Sequence, residues 1–214
     1  MNQKGLARDT VARAALDLLD EVGLDGLTVR RLATELGVKS PALYWHFRSK
    51  QELLDEMCRQ LLEPDMGGPR TDESWQEWLT RRAHQYRRML LSHRDGARLV
   101  AGSHPGMTVG RKFEAELKLL TGYGFTPAQG LDAISTLSFY TTGFVLQEQA
   151  SLARQSEVTP EHLATLAAEA PTTMAAVTAI GTPTSDRAFT HGLRLIIDGI
   201  TAALDASRPS PTGQ

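Results

Sequence analysis

The sequence predicts an all-α protein in which an N-terminal three-helix head is joined by a connecting helix to a larger helical body. Apolar residues recur at spacings of three and four through most of the chain, the period of a helix that buries one face. No segment alternates apolar and polar residues with the period of two typical of strands. The 214 residues, 41% of them apolar, suffice for one large domain or two small ones.

The first helix of the head is predicted over about residues 6–22. Gly23 provides the residue that ends it, and residues 24–26 are predicted to form a turn. The spacing of the apolar residues places one set on a common face, which is expected to be buried. That set is Val11, Ala15, Leu18, Leu19 and Val22.

A second, shorter helix is predicted to begin after Thr28, whose hydroxyl can accept a hydrogen bond from a free amide of the first turn. Gly37 is predicted to end this helix, since glycine tolerates the backbone conformation that follows a helix. The buried stripe of the helix is expected to consist of Val29, Leu32, Ala33 and Leu36.

The third helix is predicted to begin with Ser40 as its cap and Pro41 in the first turn, where the missing N–H of proline is tolerated. Leu43 and Phe47 are spaced by four and are predicted to pack inward. Two short helices joined by a tight turn are typical of a helix-turn-helix, whose second helix enters the DNA major groove. The residues left near the outer faces are Lys39, Ser40, Ala42, Tyr44, Trp45 and His46.

The alternative interpretation of this segment is a solvated helical hairpin with ordinary surface charges. Adjacent Tyr44 and Trp45 argue against it, because both cannot enter the core that Leu43 and Phe47 occupy. The whole chain holds 25 acidic and 23 basic residues, but residues 28–50 hold five basic residues against one acidic residue. Because phosphate neutralisation supplies much of the affinity for DNA, this segment is predicted to bind DNA.

A connecting helix is predicted from the capping box Ser49–Glu52, in which serine caps the helix and glutamate reaches back. Pro64 ends or bends this helix, and a Gly- and Pro-rich stretch separates it from the body. The predicted organisation is a head over 1–50, a connecting helix over 49–64, a body over 70–206 and a disordered tail over 207–214.

The body is predicted to be helical throughout. Thr126 followed by Pro127 predicts the capped start of its longest helix. Residues 93–96 are predicted as a turn or short helix, 102–110 as a loop, and 153–170 as a polar connection that ends in a weak helix. The longer helices are predicted over 73–92, 127–152 and 186–206, and a short helix is predicted over 112–122.

Two amphipathic helices of the body, 127–152 and 186–206, are the most apolar in the chain. They can fill the core alone, or they can supply one face to the core and another to a dimer interface. We favour the second arrangement, because a helix-turn-helix normally needs two copies about one DNA turn apart for tight binding. Phe189 and Ile197 are therefore expected to stabilise the interface or the core beside it.

The cysteine content and the lack of long apolar segments indicate the cellular compartment of the protein. Cys58 is the single cysteine, so no intrachain disulfide can form, which fits a reducing environment. We interpret Cys58 as a packed apolar residue. No apolar run follows a basic start, and no stretch approaches the roughly 20 apolar residues of a membrane span. We expect a cytoplasmic protein without a membrane partner.

Several longer motifs extend over both head and body: ALDLLDEVGLDGLT at 15–28, LGV at 36–38, LYWH at 43–46, ESWQ at 73–76, LLSHRDGA at 90–97 and LQEQ at 146–149. With these motifs the chain resembles the tetracycline repressor family, and within it the tetracycline-repressor subclass, over about residues 6–206. The resemblance implies a homodimeric transcriptional repressor that binds a palindromic operator in double-stranded DNA.

The resemblance further implies that an inducer enters the body, shifts the connecting helix and releases the DNA, which is allostery between two sites. By position, Arg30 is expected to contact a guanine edge, the commonest specific contact. Residues 39–42 depart from the tetracycline repressor, so the operator is expected to differ. The implied DNA contacts are Thr28, Arg30, Lys39, Ser40, Pro41, Ala42, Tyr44, Trp45, His46 and Lys50.

The residues at the ligand-binding positions differ from those of the tetracycline repressor more than the DNA-binding residues do. The tetracycline–magnesium site of the family needs an Asn, two His and a Glu, where this chain has Arg82, Val100, Gln147 and the region 64–66. Losing these ligands removes a site for a hard cation. We therefore expect no magnesium–tetracycline, metal or cofactor, and instead a small apolar inducer with a few polar groups.

A buried Arg82 would need an acidic partner, either Glu116 or an anionic ligand. Each residue expected to contact the inducer can equally belong to the core or the surface. The expected contacts are Arg82, Tyr86, Ser103, His104, Pro105, Phe113, Glu116, Leu131, Ile134 and Ser138.

Other functions have weaker support. The tripeptide His93–Asp95 matches the catalytic loop of protein kinases, but no Asn follows at the needed distance and no Gly-rich loop precedes it. No paired metal spacing of His residues supports an enzyme either. A sequence-neutral DNA binder needs a broad basic surface, which a net charge of −2 does not offer. Activation instead of repression stays open, since the sign depends on where the operator lies.

Overall fold

The structure, a computed structural model, describes residues 7–64, 66–104, 106–154 and 159–207. Over these residues the chain is helical and contains no strand, so the all-α prediction is confirmed. The helices in chain order are α1 (Arg8–Gly26), α2 (Val29–Glu35), α3 (Ser40–Tyr44), α4 (Lys50–Leu61), α5 (Trp75–Leu91), α6 (Gly96–Ala101), α7 (Gly106–Gly122), α8 (Pro127–Arg154), α9 (Pro160–Glu169), α10 (Pro171–Ile180) and α11 (Asp186–Ser207).

The chain forms two compact units. The first unit draws on residues 1–67 and 85–116, and the second on residues 68–84 and 117–214. Helices α5 and α7 each contribute residues to both units. The first unit therefore combines the predicted head and connecting helix with α6, whereas the sequence predicts a head and body that are contiguous along the chain.

Helix α1 has the buried face that its spacing predicts. Val11, Ala15 and Leu19 are fully buried and Leu18 nearly so, whereas Val22 is half-buried. At Gly23 the backbone turns into the left-handed region, with φ of 70°, so the regular helix is interrupted at the predicted residue.

The N-terminal end of α1 is fastened to α4 by charged side chains. Arg8 donates to Glu52 Oε1 at 2.8 Å and to Glu56 Oε2 at 3.4 Å, and its guanidinium lies 4.6 Å from the centre of the Phe47 ring. Arg59 donates to Asp9 at 2.9 Å and to Glu56. The bonds of Arg8 with Glu52 and Glu56 and that of Arg59 with Asp9 link residues 44 to 50 positions apart, whereas Arg59 and Glu56 are neighbours on α4.

Cys58 lies in the buried part of α4. Burial raises the pKa of its thiol to about 12, because a thiolate is poorly stabilised away from water. The interpretation of Cys58 as a packed residue is confirmed.

The body departs from the prediction at two places. The predicted loop over 102–110 contains the first residues of α7, which begins at Gly106. Helix α9 lies at the end of the segment 153–170, where a weak helix is predicted, but the helix α10 that follows it is not predicted. Glycine weakens a helix by only about 1 kcal/mol, so Gly110 does not interrupt α7. Pro171 lies in the first turn of α10, where proline is tolerated.

The second unit has an aromatic core between α8 and α11. The ring of Phe189 stacks on Tyr140 with centroids 5.5 Å apart and meets Phe144 edge-to-face at 5.1 Å. The His84 ring lies 5.1 Å from Phe189, and Tyr140 donates its hydroxyl hydrogen to the Phe189 carbonyl at 2.9 Å. Phe189 is thus a core residue and not an exposed interface residue.

The boundaries of the long helices agree with the sequence. Thr126 caps α8, since its hydroxyl accepts a hydrogen bond from the Gln129 amide at 3.3 Å. Helix α11 ends at Ser207, and the rest of the predicted tail lies outside the described residues. Within the described part of the chain, no helix is both long and apolar enough to cross a membrane.

Candidate DNA-binding surface and ligand-binding residues

The turn between α2 and α3 has the predicted construction. The Thr28 hydroxyl accepts a hydrogen bond from the Arg31 amide at 3.2 Å and so caps α2. Gly37 lies in the left-handed region with φ of 64°, a backbone conformation that is strained for residues with a side chain. Of the four residues in the predicted stripe on α2, Leu32 and Ala33 are buried, and Val29 and Leu36 are half-buried.

Helix α3 differs from the prediction at its first residue. The helix begins at Ser40, so Lys39 occupies the cap position and no side chain caps this end. Ser40 is therefore not the cap, whereas Pro41 does lie in the first turn. The Lys39 carbonyl instead accepts the Ala42 amide at 2.8 Å, so a backbone bond closes this turn.

The outer face of α3 carries the aromatic residues that the sequence places there. Leu43 and Phe47 are buried, while Tyr44 is 54% exposed and Trp45 is 89% exposed. A large aromatic surface left in water beside a packed core indicates a surface that binds a partner. All ten predicted DNA contacts lie in the first unit, and none is buried. The exposed ones are Thr28, Arg30, Lys39, Pro41, Tyr44, Trp45 and Lys50, and the half-buried ones are Ser40, Ala42 and His46.

The two neighbouring arginines of α2 differ in their contacts. Arg31 donates from its guanidinium to the Gly26 carbonyl at 3.1 Å. Arg30 is exposed, and its guanidinium makes no hydrogen bond or ion pair with the described part of the chain. Arg30 is thus available to an external acceptor, whereas Arg31 is partly engaged within the head.

The start of α4 is stabilised by the predicted capping box, with one change. Ser49 accepts the Glu52 amide at 3.1 Å, but the Glu52 carboxylate accepts from the Arg48 amide at 2.7 Å and not from Ser49. These bonds, first that with Arg48 and then that with Arg8, lower the pKa of Glu52. The carboxylate is therefore held in its charged form at the junction of α3 and α4.

The end of α1 is bonded to the turn before α6, a contact that the sequence does not indicate. His93 Nδ1 lies 2.8 Å from Asp20 Oδ2, and the Arg94 amide donates to Asp20 Oδ1 at 2.7 Å. Asp95 accepts the Leu24 amide at 2.8 Å. The motifs 15–28 and 90–97 contain these residues, but only the fold shows that the two motifs meet.

A further ion pair joins the same two segments. Arg98 donates two hydrogen bonds to the Asp25 carboxylate, at 2.9 and 3.0 Å. These bonds lower the pKa of Asp25, so its charge persists at lower pH than usual. Helix α6 is thus anchored directly to the head.

Five of the predicted ligand contacts lie in the first unit. Tyr86 and Glu116 are buried, and Phe113 is half-buried. The Ser103 hydroxyl oxygen is buried and has no hydrogen-bond partner within the described residues. His104 is exposed, and its amide donates to Asp55 Oδ1 at 2.9 Å. Pro105 lies outside the described residues.

The remaining four predicted ligand contacts lie in the second unit. Arg82 is 2% exposed and Ile134 is fully buried. Ser138 is half-buried, whereas Leu131 is 46% exposed. The ligand set therefore stays a prediction, and Leu131 has the least support as part of an enclosed site.

The residues at the positions of the family's metal ligands do not fit a magnesium ion. The Arg82 guanidinium is itself a cation, and the Val100 side chain has no donor atom. Gln147 is exposed and Met66 is half-buried. Among the described residues, no group of three or more His, Cys, Asp or Glu is arranged to hold a metal. Gln147 offers an amide oxygen but no carboxylate, so Arg82, Val100 and Gln147 do not provide the carboxylate and oxygen set that magnesium prefers.

A groove runs between α8 and α11 in the second unit, with a volume of about 170 Å³. None of the predicted ligand contacts lines it. Its lining residues are Phe125, Gln129, Asp132, Ala133, Thr136, Ile200, Ala203 and Leu204.

A three-helix head with exposed basic residues on α2 and at the start of α3, and exposed aromatic residues at the end of α3, defines a DNA-binding transcriptional regulator of the helix-turn-helix class. Residues 11–57 match the family of bacterial regulatory proteins called the tetR family, and residues 68–204 match the tetracyclin repressor-like C-terminal domain. The chain belongs to this family of DNA-binding, ligand-responsive repressors.

Known proteins agree with this assignment. The chain is 43% identical over 199 residues to the class A tetracycline repressor protein from transposon 1721 of Escherichia coli, which covers 91% of this chain and 90% of that protein. A variant of TetR from Acinetobacter baumannii AYE in complex with minocycline is 35% identical, with a TM-score of 0.75 over 93% of this chain and 98% of that one. BioQ in complex with its double-stranded DNA operator is 30% identical, with a TM-score of 0.68 over 92% and 99%. These relatives are regulators and not enzymes.

Proposed function

We propose that the chain is a homodimeric repressor that binds a palindromic operator and is released by a small apolar inducer other than magnesium–tetracycline. The observations that carry this proposal are the exposed pair Tyr44 and Trp45 at the end of α3 and the exposed Arg30 of α2, whose guanidinium is not engaged by the described residues. A family member whose structure contains its DNA operator supports the same placement of the head.

The charge of the head supports DNA contact. Arg30, Lys39 and Lys50 are all exposed. Each can neutralise a phosphate, and Arg30 can also form the bidentate pair with guanine. Ser40 and Ala42, which are half-buried on α3, are short side chains that can contact a base only at close range. They are the positions at which this operator is proposed to differ from that of the tetracycline repressors.

The apolar surface of the second unit supports a dimer. Phe139 on α8 is 76% exposed and Leu195 on α11 is 57% exposed. The groove between the same two helices is lined mainly by apolar side chains. Large exposed apolar residues on adjacent helices are typical of a protein interface, and two identical faces can pair about a twofold axis.

The inducer is proposed to be apolar with a few polar groups. Arg82 and Glu116 are buried charged residues, so a ligand that lies near either of them meets a polar group as well as apolar neighbours. The Ser103 hydroxyl can donate a hydrogen bond to an acceptor on such a ligand. The side chains of Arg82, Val100 and Gln147, at the positions of the family's magnesium ligands, argue against a magnesium chelate as the inducer.

Fluorescence anisotropy of the purified full-length protein tests this proposal. The labelled DNA is the region next to its own gene, with excess non-specific competitor. Tight, competitor-resistant binding is expected, with a dimer mass by light scattering. Anhydrotetracycline with magnesium is expected to leave the complex intact, and a panel of apolar compounds is expected to contain one that releases it.

Each part of the proposal can fail separately. Binding that competitor DNA abolishes would indicate a sequence-neutral binder. A monomeric mass at concentrations that saturate the operator would remove the dimer. Release by anhydrotetracycline only when magnesium is present would show that the altered ligand positions still accept the chelate.

A further inference from the structure

The C-terminal end of α4 is capped by a side chain from α7. Lys112 Nζ donates to the Leu62 carbonyl at 3.0 Å and to the Pro64 carbonyl at 3.4 Å, and it also contacts the Glu63 carbonyl. The last carbonyls of a helix lack intrahelical partners and carry the negative end of the helix dipole. Leu62 is the C-cap residue of α4, and Glu63 and Pro64 follow it, so the ammonium group of Lys112 is engaged at the C-terminal end of α4.

The N-terminal half of α4 is bonded to the residues that follow α6. Gln51 donates to the Gly102 carbonyl at 3.0 Å and to Asp55 Oδ1 at 2.9 Å. The same oxygen of Asp55 accepts the His104 amide at 2.9 Å. Helix α4 is therefore held at both ends by side chains or backbone groups from the 85–116 part of the first unit.

These anchor points lie next to predicted inducer contacts. Ser103 lies between Gly102 and His104 in the sequence. On α7, Phe113 follows Lys112 directly, and Glu116 lies one helical turn further on. At its other face, α4 is joined to α1 through Glu52, Glu56 and Arg59. A displacement of α7 that moves Lys112 must therefore either carry α4 and the head with it or break the cap.

We infer that Lys112 is a positioning residue for operator binding: its cap on the last turn of α4 fixes the direction in which α4 holds the head. The inference rests on the proposed function, in which a dimer binds two half-sites. Lys112 contacts no DNA in this account. It acts through α4, and its loss relaxes the separation of the two heads.

The first measurement tests whether the cap stabilises the end of α4 in solution. Hydrogen exchange of the full-length dimer is followed in peptides from the last turn of α4, for the wild type, Lys112→Met and Arg111→Met. Arg111 is the matched control, because it is an exposed cation on the same helix that makes no hydrogen bond or ion pair with the described residues. Lys112→Met is expected to exchange on the order of tenfold faster there, and Arg111→Met is expected to match the wild type.

The second measurement tests positioning. The wild type first selects an operator from a random DNA library. Affinity is then measured for this operator and for versions with one base pair added or removed at the centre, which changes both the separation and the angular relation of the half-sites. Lys112→Met is expected to reduce the preference for the selected spacing by about fivefold or more, whereas Arg111→Met keeps it.

The results of the two measurements distinguish a positioning role of Lys112 from a purely structural one. A purely structural role for Lys112 lowers affinity equally for every spacing, and this result would overturn the inference. Unchanged exchange at the end of α4 in Lys112→Met would overturn it as well, since the cap would then have no effect in solution. If the wild type selects no palindromic DNA, the proposed function is wrong. The inference about Lys112 is then wrong as well, whatever the hydrogen-exchange data show.

Discussion

The two units of the molecule differ in the kind of contact that joins their helices. In the first unit, charged groups link distant segments: Arg8 with Glu52 and Glu56, and Arg98 with Asp25. In the second unit, aromatic rings do so, with Phe189 among Tyr140 and Phe144. Ion pairs with a partly exposed partner, such as Arg8 or Arg98, contribute less net stability than fully buried contacts, whereas a buried aromatic core depends on close packing.

This difference suits the two tasks of a ligand-released DNA-binding protein. Polar links between α1, α4 and α6 can break and re-form at a small free-energy cost, so the head can change position without unfolding. The aromatic core keeps α8 and α11 in a fixed arrangement. The following predictions, in order of decreasing effect, test whether the contrast holds.

The largest effect is expected for Phe189→Ala. Removing a fully buried ring leaves a cavity and is expected to lower the free energy of unfolding by roughly 3–5 kcal/mol. Chemical denaturation of the purified protein measures this change. The neighbouring exposed residue provides the control, and Thr190→Ala is expected to stay within about 0.5 kcal/mol of the wild type. A small loss for Phe189→Ala would show that the second unit is not the rigid part.

The second largest effect is expected on operator affinity, without a change in the stability of the fold. Arg30→Ala is expected to weaken operator binding by about 1–3 kcal/mol and to relax base preference at one position in each half-site. The melting temperature is expected to stay unchanged, because Arg30 makes no contact within the described chain that its loss would break. Anisotropy titrations at fixed salt, beside thermal melts, distinguish the two properties. Equal affinities of the variant and the wild type would remove Arg30 from the DNA-binding surface.

A smaller effect is expected for Glu56→Gln in the network between α1 and α4. Glu56 is buried and bonded to both Arg8 and Arg59, so loss of its charge is expected to cost about 1–2 kcal/mol of folding free energy. Glu63→Gln is the matched control, since Glu63 lies 3.8 Å from the same Arg59 but is mostly exposed. If both variants unfold at the same denaturant concentration, the network does not fasten α4 to the head.

The smallest effect is expected at Glu73 in the second unit. Two hydrogen bonds from Arg81, each 2.7 Å long, lower the pKa of Glu73 to about 2. A carboxyl with a lowered native pKa stabilises the fold above its unfolded pKa of roughly 4.3, and this contribution is lost as the pH falls through the native pKa. The stability difference between the wild type and Glu73→Gln is therefore expected to be constant at neutral pH and to shrink between about pH 4.3 and 2. Denaturation at several pH values would contradict this if the difference persisted at pH 2.

The sequence predicts local structure well wherever a side chain acts on its own helix. Thr28 caps α2 and Thr126 caps α8, because a cap needs only an oxygen at the right residue. The exposure of Tyr44 and Trp45 also follows from the sequence, since the helical period that buries Leu43 and Phe47 leaves no room for them. The start of α7 at Gly106 and the helix α10 were not predictable from breaker residues alone.

The sequence by itself determined three features: the all-α class, the helix-turn-helix with its exposed basic and aromatic residues, and the family resemblance. Each of them depends on residues within a few turns of one another. Only the tertiary structure decided that α6 joins the head through Asp20 and Asp25, that Lys112 caps α4, and that Phe189 is core. The physical reason is that these contacts join residues roughly 50 to 75 positions apart. Helical periodicity predicts which face of a helix is buried, but not which distant segment covers that face.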